Sequence, residues 1–247
     1  MAGHVVLGYD GSDFSMQALD WALDEAELRK LPLLVVHAWQ WPYGEADEEA
    51  KSHLGKAAEH VMWHGAECAR QTSQGLQVDT DLYEGPAAER LVELSEGAEL
   101  IVVGSRGLGA LPRAVVGSVA DYTAAHAACP VIVVRGPGPL PLPQNPGPIE
   151  VTDPDPSPAV LEFAYREAQL RQVGLAARTD LTEWARSHPG VRIETAADHP
   201  PATLMVVGRA PAGRPGIARH LLQSAPCPVA VVGTADQAPD QDPDQED

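Results

Sequence analysis

The chain is poor in aromatic residues, with five Trp, five Tyr and two Phe among 247 positions. Apolar residues still make up 44% of it. The core must therefore be built from Val, Leu, Ala and Ile, a mixture suited to strands buried on both faces beneath helices. Cysteine is scarce as well. Cys68, Cys129 and Cys227 form neither an even disulfide framework nor a metal-type pair, which points to a reducing compartment. Basic residues are outnumbered: 17 Lys and Arg face 35 Asp and Glu, for a formal net charge of −18. With no basic stripe in so acidic a chain, the sequence argues against a nucleic-acid partner. No run approaches the roughly 18 apolar residues of a membrane helix. The start, Met1-Ala2-Gly3-His4-Val5, lacks the basic region and long apolar stretch of a secretion signal. These absences predict a cytoplasmic protein with no membrane partner.

Proline, by contrast, is plentiful and unevenly placed. Residues 135–148 read Arg-Gly-Pro-Gly-Pro-Leu-Pro-Leu-Pro-Gln-Asn-Pro-Gly-Pro, a density that forbids helix and sheet ladders and favours an extended linker. The expected layout is a first domain over 1–135, a linker over 136–147, a shorter second domain over 148–234, and a solvated, disordered acidic tail over 235–247.

Before the linker, short apolar runs alternate with segments of helical period. Strands are expected at Val5 to Tyr9, Leu33 to Ala38, Gln77 to Leu82, Leu100 to Val103 and Val131 to Val134. Helices are expected at Ser15 to Lys30, Asp47 to Ser73, Ala87 to Ser95 and Gly117 to His126. Such alternation implies an α/β fold, a doubly wound parallel sheet covered on both faces. The chain also repeats itself. Glu25-Ala26-Glu27-Leu28-Arg29 returns as Glu167-Ala168-Gln169-Leu170-Arg171 at an offset of 142, Val102-Val103-Gly104 as Val206-Val207-Gly208 at 104, and Cys129-Pro130-Val131 as Cys227-Pro228-Val229 at 98. The falling offset means that the second copy lacks 38 residues between the first two marks and 6 more before the third. Most of the long helix and the helix after the third strand are missing. A helical remnant at Leu181 to Ser187 and a strand at Val191 to Ile193 are expected in their place. The second sheet should then be under-covered on that side.

The stretch Gly104-Ser105-Arg106-Gly107, continuing to Gly117-Ser118-Val119, has the form Gly-x2-Gly-x9-Gly-Ser. It begins where a strand ends and finishes where a helix begins. Glycine lets backbone approach a phosphate closely, and the N–H groups of Gly117, Ser118 and Val119 at a helix N-terminus favour an anion. Ser118 can cap that helix. Arg106 and Arg113 can supply positive charge. The second element, Gly8-Tyr9-Asp10-Gly11-Ser12, ends the first strand, where Asp10 can accept hydrogen bonds from ribose hydroxyls. In strand order 3-2-1-4-5 the first and fourth strands are neighbours, and ligands bind in the crevice above their carboxyl ends.

Gly8-Tyr9-Asp10-Gly11-Ser12, Val36-His37-Ala38-Trp39, the glycine motif and Ala128-Cys129-Pro130-Val131-Ile132-Val133-Val134 resemble the universal stress protein family. The resemblance spans residues 3–135 and, with gaps, 148–233. It implies two tandem doubly wound parallel sheets of the adenine nucleotide alpha-hydrolase-like fold, order 3-2-1-4-5, the second truncated. The glycine motif resembles that of the ATP-binding branch, which implies ATP or a related adenine nucleotide as ligand. Asp10 would hold the ribose, the backbone near Val36, His37 and Ala38 the adenine, and Gly104, Gly107, Gly117 and Ser118 the phosphates. Gly11, Ser12, Arg106 and Val119 complete the candidate set. The resemblance also implies pairing through the last strands, Val131 to Val134 and Val229 to Val232, within one chain or between two in a homodimer.

The second copy departs from this pattern. Gly208-Arg209-Ala210-Pro211-Ala212-Gly213-Arg214-Pro215-Gly216 lacks the second and third motif glycines at the required spacing, and no Gly-Ser opens its last helix. Its first strand is cut to Pro148-Ile149-Glu150-Val151. No nucleotide is expected there. His60, His64 and Cys68, four residues apart on the long helix, read as a core thiol beside surface histidines rather than as a metal site. Trp39 and Trp41 fit either the flank of an adenine or a loop closed over the core. Turnover is expected to be slow or absent, since no Gly-x4-Gly-Lys-Ser/Thr loop is present. Asp10 and Asp13 are candidate Mg2+ ligands by proximity alone. A ligand-free scaffold acting by domain pairing is the alternative. An ATP-consuming enzyme ranks last, because the Ser-Gly-Gly-x-Asp-Ser loop of that branch is absent.

Overall fold

A computed structural model describes residues 3–41, 48–107, 116–135, 146–195, 201–210 and 217–233. Most of the linker, Arg113 and the acidic tail lie outside the described residues.

The first half alternates strand and helix: β1 (Val5–Gly8), α1 (Asp13–Arg29), β2 (Leu33–Trp39), α2 (Glu48–Thr72), β3 (Val78–Glu84), α3 (Ala87–Leu94), β4 (Leu100–Gly104), α4 (Ser118–His126) and β5 (Val131–Val134). The second half follows with β6 (Ile149–Val151), α5 (Pro158–Arg171), β7 (Leu175–Ala177), α6 (Thr182–Ser187), β8 (Ile193–Thr195), β9 (Leu204–Gly208), α7 (Ile217–Ser224) and β10 (Val229–Val232). The apolar runs form strands because their Val, Leu and Ile side chains are buried on both faces. Val5, Leu7, Val102 and Ile132 join the core beneath α1 and α2, while Val6, Ile101, Val103 and Val131 join the core on the other face, beneath α3 and α4.

The strands lie in the order β3-β2-β1-β4-β5-β10-β9-β6-β7-β8. Each half has the expected order 3-2-1-4-5. The two expected sheets are nevertheless one continuous sheet, because β5 and β10 pair antiparallel, with Val133 opposite Val229 and Val131 opposite Val231. Every other pairing is parallel. Both edges of β5 and of β10 are thereby used within the chain, so neither offers an edge to a second copy.

The internal repeat has a structural counterpart in the first helix of each half. Ser12 caps α1 by accepting from the Ser15 N–H, and Ser157 caps α5 by accepting from the Val160 N–H. Each helix ends on a left-handed residue, Lys30 and Gln172, both at φ 57°. The two helices meet across the pseudo-twofold axis through charge. Arg29 bonds to Glu25 and Glu167, and Arg171 to Glu25, with Glu167 3.6 Å from Arg171 Nε. Both carboxylates are fully buried and the guanidiniums nearly so. Trp21 adds an indole N–H to Glu25 at 2.9 Å and a ring face beneath Arg171 at 4.7 Å.

Two further arginines bind the halves on the opposite face. Arg135, just past β5, donates to the carbonyls of Leu221, Leu222 and Gln223 at the end of α7. Arg209, just past β9, donates to Ala124 O of α4 and Cys129 O. Cations at helix C-termini complement the dipole there.

The second half is reduced, as its missing residues require. The strands β6, β7 and β8 have three residues each, and the six-residue α6 stands where the first half has the 25-residue α2. The strand expected from Val191 begins at Ile193, after the turn at Pro189 and Gly190. No helix lies between β8 and β9 among the described residues. An aromatic cluster supplies part of the cover that the lost helix gave: Trp184 of α6 stacks on His188 at 3.9 Å and meets the edge of Tyr165 at 5.4 Å, and the Tyr165 hydroxyl donates to Pro189 O.

The Arg29→Met variant would leave two buried carboxylates facing one guanidinium. The expected destabilisation is about 3–5 kcal/mol, to be read from the urea unfolding midpoint. The same ring sets a pH dependence. Burial, together with the facing Glu167 carboxylate, pushes Glu25 up from 4.5 to about 7, against the pull of Arg171, Arg29 and Trp21. Burial also raises Asp20, Asp24 and Asp153. A folded state with raised carboxylate pKa values holds more protons than the unfolded chain, so this contribution to stability is lost as pH rises through the folded pKa. Thermal melts are expected to show higher stability near pH 5 than at pH 7.5, and Glu25→Gln is expected to flatten that trend.

Candidate functional site

The crevice lies above the carboxyl ends of β1, β2 and β4. It encloses about 390 Å3. Its floor is the end of the sheet, at Gly8, Val36 and Val103, and Ala87 and Leu91 of α3 form an apolar wall. Gly8 keeps the floor open: a Cβ there would meet Val103 at 3.0 Å and Leu91 at 3.1 Å.

Asp10 is held by the turn that starts α1. Its Oδ1 accepts from the Ser12 N–H at 3.0 Å and the Ser12 hydroxyl at 2.6 Å. The same Ser12 oxygen accepts from Ser15 N and so caps the helix. Gly11 makes this possible with φ 79°, a left-handed conformation that costs glycine little. Gly11 and Ser12 therefore orient Asp10 and do not line the crevice. The other carboxylate oxygen, Oδ2, lies so near Gly107 that a Cβ there would collide with it. The two sequence motifs thus meet at Asp10 and Gly107. Asp13 is exposed in the first turn of α1 and does not line the crevice.

The glycine motif is drawn into the crevice by backbone hydrogen bonds. Ser105 N donates to Val134 O, and Gly117 N donates to Ser105 O, each at 2.9 Å. This corrects two expectations. The Gly117 N–H is engaged with the protein, and Ser118 is the first helical residue rather than the cap; Gly117 is the N-cap, at φ −63° and ψ 147°, with no side-chain cap bond. The donors left over by helix geometry are those of Ser118, Val119 and Ala120, and all three residues line the crevice. Arg106 lines it too, its guanidinium over the Phe14 ring at 4.9 Å. Gly104 is required by close packing: a Cβ there would lie 2.7 Å from Phe14 O. Positive charge and oriented N–H groups are thus gathered at one end of a crevice in a protein of net charge −18.

At the other end, Val36, His37 and Ala38 lie at the close of β2. His37 is buried, with its Nδ1 2.8 Å from Tyr9 O. Tyr9 donates its hydroxyl to Met16 Sδ at 3.1 Å and lies 3.0 Å from His64 Nδ1. Burial raises its phenol, helped by Cys68 and Asp10.

Of the twelve candidate residues, all but Gly11 and Ser12 line the crevice. Sequence reasoning missed Ser15, Ala87, Leu91, Val103 and Ala120, and it quoted Gly8 and Tyr9 without placing them in the site. Ala87 and Leu91 sit four apart on a helix, a spacing that reads equally as core. Trp39 packs against α2 at Gly55. Among the described residues no group of three or more His, Cys, Asp or Glu is arranged to hold a metal; Cys68 lies 3.8 Å from His64 Nε2. Burial pushes the Cys129 thiol up to about 12 and Cys227 up to about 11, which keeps both protonated and unreactive.

The second half closes the corresponding place with its own carboxylate. Asp153, just past β6, accepts from the Gly208 N–H at 2.7 Å. Arg209, next in line, is turned away to the first half.

A doubly wound α/β half with an anion-attracting crevice, fused to a shortened copy of itself, defines the class. The model of the universal stress protein family matches residues 1–135, and the chain belongs to that family. Universal stress protein Rv2624c of Mycobacterium tuberculosis is 31% identical over 212 residues, covering 79% of this chain and 77% of that one. Universal stress protein Rv3134c of the same species is 30% identical over 216 residues, covering 78% and 79%. Among solved structures, a universal stress protein from Archaeoglobus fulgidus superposes with a TM-score of 0.70 at 17% identity, covering 94% of this chain and 97% of that one. This last likeness is one of fold, and it extends over both halves. No helix among the described residues is long and apolar enough to cross a membrane.

The Gly104→Ala variant forces a Cβ against the Phe14 backbone, and a loss of about 1–3 kcal/mol is expected. Gly117→Ala meets nothing nearer than 3.6 Å and is expected to cost under about 1 kcal/mol, as a weaker helix cap. Chemical denaturation of the two variants checks the contrast.

Proposed function

We propose that the first half binds an adenine nucleotide, ATP or a close relative, and that the second half binds none. The observation that carries this reading is the convergence of two distant motifs on one crevice of about 390 Å3, within the size range of small-molecule sites. The polyphosphate would lie at the start of α4, against the N–H groups of Ser118, Val119 and Ala120, with Arg106 beside it. The Asp10 carboxylate would meet the ribose. The base would enter the apolar end between β2 and α3, at Val36, Ala38, Ala87 and Leu91. In this arrangement the Asp10 carboxylate and the His37 ring lie at the ribose and the base rather than at the phosphates, which favours binding over turnover. In the second half, the Asp153–Gly208 bond puts a fixed carboxylate in the corresponding place, which disfavours phosphate. That half would serve as a fixed partner for the first.

A second reading, a ligand-free scaffold, draws on the extent of the seam: the β5–β10 ladder, the buried charge ring and the reciprocal arginine caps. One variant separates the two. In Gly117→Asp the backbone already has the conformation of a helix cap, so a carboxylate is expected to stabilise α4 by about 0.5–1 kcal/mol. It would also set a negative charge where the phosphates lie. Under the nucleotide reading, stability rises while ATP affinity falls about tenfold or more; under the scaffold reading, only stability changes. Independently, protein purified without added nucleotide and then denatured should release an adenine nucleotide, at close to one per chain by mass spectrometry. No released nucleotide, with no thermal shift on adding ATP, would favour the scaffold.

A further inference from the structure

His37 is more than nine-tenths buried, yet it lines the crevice. Its Nδ1 lies 2.8 Å from Tyr9 O. A backbone carbonyl only accepts, so Nδ1 must carry the proton and donate. A neutral imidazole with its proton on Nδ1 leaves Nε2 as a bare acceptor. Among the described residues no donor is bonded to Nε2, and this nitrogen is not among the buried polar atoms cut off from any partner. It is therefore neither bonded within the described protein nor sealed off, in a residue that lines the crevice. The tautomer is fixed by the fold, because Tyr9 O is itself fixed: Tyr9 N continues the β1–β2 ladder by donating to Val36 O at 2.9 Å. The surroundings at this end are apolar, with Val36, Ala38, Ala87 and Leu91. A lone acceptor in such a place has a large effect, since a ligand that cannot donate to it leaves two polar groups buried without partners.

We infer that His37 reads the nucleobase: through Nε2 it accepts a hydrogen bond from an exocyclic amino group, and so selects 6-amino over 6-oxo purines. This rests on the nucleotide reading of the crevice and assigns its specificity. The selection follows from sign. The amino group of adenine donates, whereas the oxygen of hypoxanthine or guanine would face Nε2 acceptor to acceptor.

The test compares ATP with ITP, which differ at this position of the base, by calorimetric titration of the full chain. Wild-type protein is expected to bind ATP about tenfold or more tightly than ITP. In His37→Asn, the side-chain amide can keep the bond to Tyr9 O while the acceptor at the place of Nε2 is lost. ATP affinity should then fall to that of ITP, with ITP little changed. His37→Gln, which returns an acceptor near that place, should restore part of the preference. Equal affinities in the wild type would overturn the inference while leaving the nucleotide reading intact, as would an unchanged ratio in His37→Asn. A parallel fall for both nucleotides would also overturn it, by showing that His37 only shapes the site. If the wild type binds neither nucleotide, the reading beneath it fails first. Histidine 15N NMR on the wild type needs no variant: the Nε2 resonance should move with ATP and not with ITP, and its failure to move with bound ATP would overturn the inference.

Discussion

Four charges buried between α1 and α5 hold this molecule to its shape. Glu25 and Glu167 have no access to water, and their charges are offset by Arg29 and Arg171, with the Trp21 indole N–H on Glu25. Desolvating such groups costs several kcal/mol apiece, and the cost is recovered only when the partners are in place. The ring is complete only when both halves are folded and docked, so it ties the two folding units to one relative placement. The antiparallel β5–β10 ladder fixes the same placement by register, and Arg135 and Arg209 secure it on the opposite face by capping each other's half. A chain with few aromatic residues and a heavily reduced second half relies on this seam for burial that its second half alone does not supply.

The seam also explains how two copies of one fold came to differ. Both halves keep the strands and helix that build the ring: β6, β9 and β10 match β1, β4 and β5, and α5 matches α1. The losses fall where the partner is far away, on α2, on the helix after the third strand and on the outer strands. The crevice depends on some of those parts. Its apolar wall is α3, which has no counterpart among the described residues of the second half. Its carboxylate is set by a turn that the second half replaces with Asp153. Reduction of the second copy therefore removes the elements of a ligand site while sparing those of the interface.

The layout of strands and helices was legible in the sequence because burial on both faces demands unbroken runs of Val, Leu and Ile, and because glycine and proline mark where those runs stop. The same was true of ten crevice residues among the twelve candidates, since a doubly wound sheet of order 3-2-1-4-5 opens its crevice at the carboxyl ends of the first and fourth strands. Gly11 and Ser12 were legible as a motif, but their part in orienting Asp10 emerged only from the Gly11 dihedral and the two bonds to Ser12. Ala87 and Leu91 were not legible as crevice residues, because four-residue spacing marks a buried helical face whatever it is buried against. The helix cap was misplaced by one residue, at Ser118 rather than Gly117, because a glycine and a serine both suit that position and only the backbone angles distinguish them.

The sequence by itself determined the fold class, the repeat, the shortening of the second copy and the two motifs that meet at the crevice. All of these are local patterns of burial, spacing and turn chemistry. Only the tertiary structure decided what depends on distant residues meeting. It made two sheets one, turned the repeated Glu and Arg of α1 and α5 into a single ring, and set the His37 proton by placing a carbonyl from the neighbouring strand against it. No periodicity along the chain encodes those meetings, because each is made between residues that the fold alone brings together.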